Sequence, residues 1–119
     1  MAKPRVNPVA GSAAVAAVLA GSIAREDVAT ATRYLLQLVT EVAPGHAVEL
    51  RVPPWGAVQC VEGQDHTRGT PPNVVEMDPE TWIAVATGKQ SWSEAVNSGK
   101  IIASGVRSDL SDLFPLAQW

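Results

Sequence analysis

Cysteine is almost absent from this chain of 119 residues, and Cys60 is the only one. A lone cysteine excludes an internal disulfide, so packing and hydrogen bonds alone must hold the fold together. Free thiols are typical of reducing compartments, although an unpaired thiol can also pair between two molecules. The cysteine content therefore predicts a cytoplasmic protein.

Histidine is nearly as scarce, with only His46 and His66 in the chain. Neither has a second potential ligand at a spacing typical of zinc sites, so we expect no metal. The glycines are scattered as turn and cap residues and form no phosphate-binding pattern between a strand and a helix. The sequence therefore predicts neither a metal nor a nucleotide, and no cofactor of another kind.

Positive charge is in short supply, because the formal net charge is -3 and the isoelectric point is near 5.2. Binding to DNA or RNA needs a basic surface that replaces counterions on the phosphate backbone. A nucleic-acid partner is therefore not expected.

Long apolar runs are also missing. The weakly apolar segment from Ala13 to Leu19 is shorter than the roughly 20 residues that a transmembrane helix needs. A secretory signal peptide cleaved near Ala20 to Ala24 is an alternative reading of this region. Its high alanine content, and the amphipathic helix that follows, favour a helix of the folded protein. We therefore expect no stable membrane insertion.

The chain does contain enough apolar residues for a core, since 46% of its residues are hydrophobic and 18% are charged. Domains most often contain roughly 100 to 150 residues. We therefore expect residues 1–119 to form a single domain.

The first half of the chain predicts two helices and a β-hairpin. Small residues from Pro8 to Ala20 indicate a short helix, with Ser12 as a possible N-cap. Three- and four-residue apolar spacing predicts a longer helix from Asp27 to Val42. Alternating residues then indicate a strand over Val48 to Val52 and a partner over Ala57 to Val61, joined by a turn that carries Trp55 at its tip.

The second half predicts two further strands and three helical segments. A strand over Asn73 to Met77 leads into a helix capped by Asp78 and closed by Gly88. Ser91 and Glu94 form a capping box for another short helix. A strand over Lys100 to Gly105 and a terminal amphipathic turn or helix over Ser108 to Phe114 follow. This order predicts an α+β fold, with a mainly antiparallel sheet of four to five strands and helices packed on one face.

Few side chains offer catalytic chemistry. His66 and Arg68 lie in a polar loop and are candidates for an active site or for binding a carboxylate, although anchoring of their own loop explains them as well. Cys60 lies in a predicted strand, where a thiol is usually part of the core rather than a nucleophile. Trp82 and Trp92 either fill the core or border an apolar pocket. We therefore predict no catalytic residues.

Two segments carry a family resemblance: RVPPWGAVQCVEGQDHTRGTPPNVVEMD from Arg51 to Asp78, and the following DPETWIAVATGKQSWSEAVNSGKIIASG. From about Ala31 to Leu116 the chain resembles the small sterol carrier proteins of actinobacteria. The resemblance implies helices over a largely antiparallel five-stranded sheet, with an apolar tunnel between them for sterols, fatty acids, acyl-CoA esters or phospholipids. The segment Ala103 to Arg107 departs from the Gly-Asp that many members carry there.

The resemblance leads to the hypothesis of a non-enzymatic carrier that holds a lipid between its helices and its sheet. Core packing predicts many of the same positions. An empty void of about 300 Å³ would cost about 7 kcal/mol, so the pocket is expected to be filled, open or small. Arg68 is the expected head-group contact, and the expected apolar lining is Leu50, Val52, Val58, Cys60, Val74, Trp82, Ile83, Val85, Ala86, Trp92, Val96, Ile101 and Leu113.

Two other functions remain open at this point. Sterol carrier folds also occur as parts of mycothiol-dependent isomerases, and His66 with Arg68 is the only pair here that suits such chemistry. Alternatively, the chain is an interaction module in which exposed Trp55 and Trp119 dock onto another protein.

Overall fold

The computed structural model describes residues 5–63, 73–117 and 119. The polar loop predicted from Gly63 to Pro72, which contains His66 and Arg68, lies outside the described residues except for Gly63. Two helices come first in the chain, followed by three short strands, two further helices, a fourth strand and a 3₁₀ turn. Their bounds are α1 (Pro8–Leu19), α2 (Arg25–Val42), β1 (Val48–Val52), β2 (Gly56–Cys60), β3 (Val74–Met77), α3 (Pro79–Thr87), α4 (Trp92–Asn97), β4 (Ile101–Ser104) and the 3₁₀ turn Ser111–Leu113.

The strands form one four-stranded sheet in the order β2-β1-β3-β4. The two outer pairs are antiparallel, whereas β1 and β3 in the centre run parallel. β1 and β2 form the predicted hairpin, with Val52 opposite Gly56 and Val48 opposite Cys60. The α+β prediction is confirmed, with a sheet that is mostly antiparallel and contains one parallel pair.

The two faces of the sheet differ in polarity because successive side chains of a strand point in opposite directions. On β1, Val48, Leu50 and Val52 are fully buried, while Glu49 and Arg51 between them are partly exposed and form an ion pair. The buried side chains belong to the same core as α1, α2 and α3. The helices therefore cover one face of the sheet, as predicted.

The largest fully buried side chain among the described residues is that of Trp82 on α3. Its indole N–H donates to the carbonyl of Thr32 on α2 at 3.2 Å, and its ring meets Phe114 edge-on at a centroid distance of 5.5 Å. A buried indole needs such a partner for its N–H. Trp82 thereby connects α2, α3 and the C-terminal segment.

Local capping chemistry explains where several helices begin and end. Asp78 accepts from the Thr81 amide at the start of α3, Gly88 ends it in the left-handed region at φ 84°, and the Ser91–Glu94 capping box is present. The prediction of Ser12 as N-cap of α1 is wrong. Asn7 caps that helix instead by accepting from the amides of Val9 and Ala10, because Pro8 already occupies the first helical position.

The terminal segment, for which a turn or a helix was expected, forms a turn. Only Ser111–Leu113 turns, as a single 3₁₀ turn, and the backbone is extended again at Phe114. Pro115 follows directly and disfavours helical geometry in the residue before it. The amide of Leu116 instead donates to the carbonyl of Ala86 at 2.9 Å, which ties the C-terminal segment to α3.

Candidate functional site

Most of the apolar residues that were expected to line a pocket lie in the core. Each is at most 3% exposed and belongs to the continuous buried cluster between helices and sheet. These residues are Leu50, Val52, Cys60, Trp82, Ile83, Val85, Ala86 and Ile101.

Two expected lining residues point elsewhere. Val74 is only partly buried, because the register of β3 places Val75 beside Leu50 and so turns Val74 to the opposite face of the sheet. Val96 is 37% exposed, and its neighbour Ala95 is the buried residue of α4. Neither side chain belongs to the buried cluster between the helices and the sheet.

The remaining expected residues have mixed positions. Val58, Trp92 and Leu113 are partly buried at the edge of the core. Arg68, the expected head-group contact, and His66 lie outside the described residues.

Cys60 is unsuited to nucleophilic chemistry. Its side chain is fully buried on β2, and this burial raises the pKa of the thiol from 9.0 to about 11. A reactive cysteine needs a thiolate in a partly exposed, electropositive setting. Cys60 acts as a small apolar core residue.

A groove of about 360 Å³ opens where α2 meets the sheet edge at β2, and we call it the α2–β2 groove. It borders the core at Leu36 and Val58. The groove is lined by Arg33, Leu36, Gln37 and Thr40 of α2, by Trp55 to Val58 of the hairpin, and by Arg5 and Val6 of the N-terminal segment.

The groove exists because of the shapes of α2 and of the hairpin turn. Its α2 residues recur at three- and four-residue steps, which places them along one side of the helix. Gly56 lets the hairpin approach α2 closely, since a β-carbon there would lie 3.3 Å from Cδ1 of Leu36. The turn before it contains a cis Pro53–Pro54 peptide and is closed by the Trp55 amide, which donates to the Val52 carbonyl at 3.0 Å.

The groove combines an apolar lining with arginine side chains. Arg33 forms no ion pair with any residue in the described part of the chain. The guanidinium of Arg25 lies 4.9 Å from the ring centroid of Trp55. Three of the arginines in an otherwise acidic protein, Arg5, Arg25 and Arg33, are therefore close to this groove.

The N-terminal segment is attached to α2 beside the groove. The Val6 amide donates to Oε1 of Gln37 at 2.9 Å, and Nε2 of Gln37 donates to the Val6 carbonyl at 3.2 Å. Arg5 pairs with Glu41, one turn further along α2. These contacts place Arg5 and Val6 over one part of the groove.

A second groove of about 450 Å³ lies between α3, α4 and the C-terminal segment. Trp92 stacks on Phe114 there, with a centroid distance of 6.1 Å and an angle of 9°. Polar side chains supply much of the remaining lining, and Ser91 and Glu94 are engaged in the capping box. Of the expected pocket residues, Val85 and Trp92 line this groove and Val58 lines the α2–β2 groove.

The two tryptophans proposed as docking residues are less exposed than expected. Trp55 is partly buried beside Arg25, and Trp119 is partly buried against Tyr34, with ring centroids 6.3 Å apart. Both rings contact other side chains of the chain. Their contacts therefore give no support to a docking surface.

Sequence reasoning missed the α2 side of the candidate site. The apolar spacing of α2 predicts a core face that includes Leu35 and Val39, and both residues are buried. A usable signal was the polar stripe beside that face, in which Arg33, Gln37 and Thr40 recur at helical spacing. Nothing in the sequence alone places this stripe next to β2.

Within residues 5–63, 73–117 and 119, no group of three or more histidine, cysteine or acidic side chains could hold a metal ion. Across the same residues, no helix combines the length and the apolar character required to cross a bilayer.

Comparison with known proteins yields one family match. The family described as bacterial SCP ortholog matches residues 24–116, a span that runs from the start of α2 to the C-terminal segment and includes the lining of the α2–β2 groove except Arg5 and Val6. No curated protein matches the chain significantly. Because the match covers most of the chain and the α+β fold agrees with it, this protein belongs to the sterol carrier protein-like family of bacteria.

Proposed function

We propose that this protein is a non-enzymatic carrier that binds a single-chain amphiphile in the α2–β2 groove. The observation that supports this most directly is the meeting of an apolar lining with an arginine that has no ion-pair partner among the described residues: Leu36, Val58 and Trp55 line the same groove as Arg33. Ligand sites typically combine a mostly apolar surface with a few polar groups that orient the ligand.

The size of the groove favours one acyl chain as the ligand. Its volume of about 360 Å³ is at the lower end of the roughly 300–1,000 Å³ that is usual for small-molecule pockets. The groove is open to solvent, which avoids the free-energy cost of a dry, empty void. Transfer of the chain out of water would supply about 25 cal/mol per Å² of apolar surface buried.

The charge at the groove favours an acidic head group. A guanidinium binds a carboxylate or phosphate through parallel charge-assisted hydrogen bonds. Arg33 has no such partner within the described residues, whereas Arg51 is already paired with Glu49. A fatty acid or a related acyl anion therefore fits the groove better than an uncharged sterol.

A carrier role needs no catalytic group, and we propose none. Family membership supports a binding role, and the thiol of Cys60 is buried and protonated at neutral pH. We also propose that the protein works in the cytosol, where a lone buried thiol remains reduced.

The test is titration of the protein with a saturated fatty acid of medium chain length, followed by calorimetry. Val58→Phe should fill the α2–β2 groove and weaken binding at least tenfold. Ser93→Phe adds the same ring in the second groove and serves as the matched control, which should bind as the unmodified protein does.

Circular dichroism and thermal unfolding should confirm that both variants are folded. Absence of any fatty-acid binding would contradict the proposal. Weaker binding in Ser93→Phe and unchanged binding in Val58→Phe would place the ligand in the second groove instead.

A further inference from the structure

We propose that residues Arg5 and Val6 form a strap that opens and closes over the α2–β2 groove and controls how fast the ligand enters and leaves. This inference rests on the proposed ligand site. It concerns the rate of exchange rather than the identity of the ligand.

The hydrogen bonds and the ion pair that hold the strap are made to α2. Gln37 pairs with both the amide and the carbonyl of Val6, at 2.9 and 3.2 Å, so one side chain satisfies the whole peptide edge of that residue. The second contact is the ion pair of Arg5 with Glu41, whose side chains are 71% and 44% exposed. Exposed pairs of this kind contribute little free energy. The hydrogen bonds of Gln37 are therefore the main latch.

The strap lies where it would obstruct a ligand. Arg5 and Val6 line the same groove as Leu36 and Val58. Val6 is partly buried and packs against the edge of the core. Moving these two residues away would widen the groove beside Gln37 and Thr40.

The helix that follows the strap is anchored independently. Asn7 caps α1 with its own side chain, and the Gly11 amide donates to the Asn7 carbonyl at 2.8 Å. Ala14 and Val15 of α1 are buried in the core. Arg5 and Val6 can therefore detach without the loss of α1, because no cap or core contact of that helix depends on them.

Hydrogen exchange tests the strap without any ligand. The Val6 amide should exchange at least tenfold faster than the Gly11 amide, since each reports the opening of its own hydrogen bond. Gln37→Leu should accelerate exchange at Val6 and leave Gly11 unchanged. Equal exchange rates at Val6 and Gly11 would show that the segment opens only together with α1, and would overturn the proposal.

Stopped-flow kinetics with a fluorescent medium-chain fatty acid test the gating. If Gln37 only lined the groove, its replacement would raise the dissociation rate of the ligand and leave the association rate unchanged. If Gln37 holds the strap closed, its replacement raises both the association and the dissociation rate. We expect Gln37→Leu to raise the association rate constant roughly tenfold, as the removal of two hydrogen bonds of ordinary net strength implies.

Glu41→Gln breaks the ion pair from outside the groove and should raise both rates by a smaller factor of about two. An unchanged association rate in Gln37→Leu would refute the gate. If no fatty acid binds at all, the proposed function fails. The comparison of the hydrogen-exchange rates of the Val6 and Gly11 amides still decides whether the strap opens on its own.

Discussion

The ring of Tyr34 on α2 lies directly against the backbone of Gly11 on α1. A β-carbon at Gly11 would lie 2.6 Å from Cδ2 of that ring and even closer to Cγ and Cδ1. Both residues are buried, and the other side of the tyrosine meets Trp119 edge-on. Only glycine allows the two helices to approach this closely.

Gly11→Ala should therefore destabilise the protein by about 1–3 kcal/mol, the usual cost of forcing an extra carbon into a packed core. The measurement is urea unfolding at equilibrium. Ser12→Ala, at the exposed neighbouring position, should change stability by less than about 0.5 kcal/mol. Adding Tyr34→Ala to Gly11→Ala should cost much less than the sum of the two single changes, since the ring that clashes is gone. Additive effects would show that the contact is not the cause.

Thr32→Val should stabilise the protein by about 1 kcal/mol. The hydroxyl of Thr32 is fully buried in α2 and has no hydrogen-bond partner among the described residues. Valine has nearly the same shape and removes a polar group whose burial is unfavourable. The midpoint of urea unfolding measures the change.

Thr87→Val is the matched control for this prediction. Thr87 is also a buried helical threonine, but its hydroxyl donates to the Ile83 carbonyl at 2.7 Å. The same substitution should therefore destabilise by about 0.5–1.5 kcal/mol. Equal changes in the free energy of unfolding at the two positions would mean that the hydrogen bonding of the hydroxyl does not determine whether the substitution stabilises or destabilises the protein.

Arg33→Gln should weaken binding of a fatty acid roughly tenfold or more and leave binding of the alcohol of equal chain length unchanged. The reason is that a hydrogen bond to a charged group contributes about 1.5–3 kcal/mol. Calorimetric titration of both ligands measures the difference. Arg51→Gln on the opposite face of the sheet is the control and should change neither affinity. An equal loss for acid and alcohol would show that Arg33 does not bind the head group.

Stability should fall in alkaline solution because of Cys60. The folded pKa of about 11 is above the ordinary value of 9.0, so the folded protein retains a proton that the unfolded chain releases. The contribution of this thiol is thus complete below pH 9 and is lost as the pH rises toward 11. The loss is roughly 1.4 kcal/mol at pH 10.

Urea unfolding of the parent protein and of Cys60→Ala, each measured at neutral pH and at pH 10, tests this prediction. Other groups also titrate in this range, so the quantity to compare is the difference in pH dependence between the two proteins. The variant should lose less stability than the parent on going to pH 10. Parallel curves would mean that the thiol titrates normally.

The chain should unfold as a single domain. Fluorescence of the four tryptophans, which include the buried Trp82, reports on tertiary packing, whereas far-ultraviolet circular dichroism reports on the helices. Both signals should follow one coincident urea transition, as is usual for domains of this size. Two separated transitions would show that the segments unfold independently.

Features that depend on neighbouring residues were predictable from the sequence. The cap at Asp78, the stop at Gly88 and the Ser91–Glu94 capping box follow from hydrogen bonds that span three or four residues. The hairpin turn was predictable for the same reason. Asn7 was missed as a cap because Ser12 has equally suitable chemistry, and only the observed start of α1 distinguishes them.

Features that depend on distant pairing were not predictable in detail. Val74 and Val75 are both β-branched residues of one strand, and only the register against β1 decides which faces the helices. On α4, the packing of the helix likewise buries Ala95 and leaves the larger Val96 exposed. The expected pocket list therefore consisted mostly of core residues, because a pocket lining and a packed core require the same side chains.

The amino-acid order by itself determined the kinds of secondary structure, most of their ends, the α+β class and the family, since these follow from local hydrogen bonding and from the pattern of apolar residues. Only the tertiary structure decided that Arg33 and Gln37 of α2 lie beside Val58 of β2, with Val6 over them. Contacts between segments so far apart in the chain depend on how whole faces pack, and no single segment contains that information.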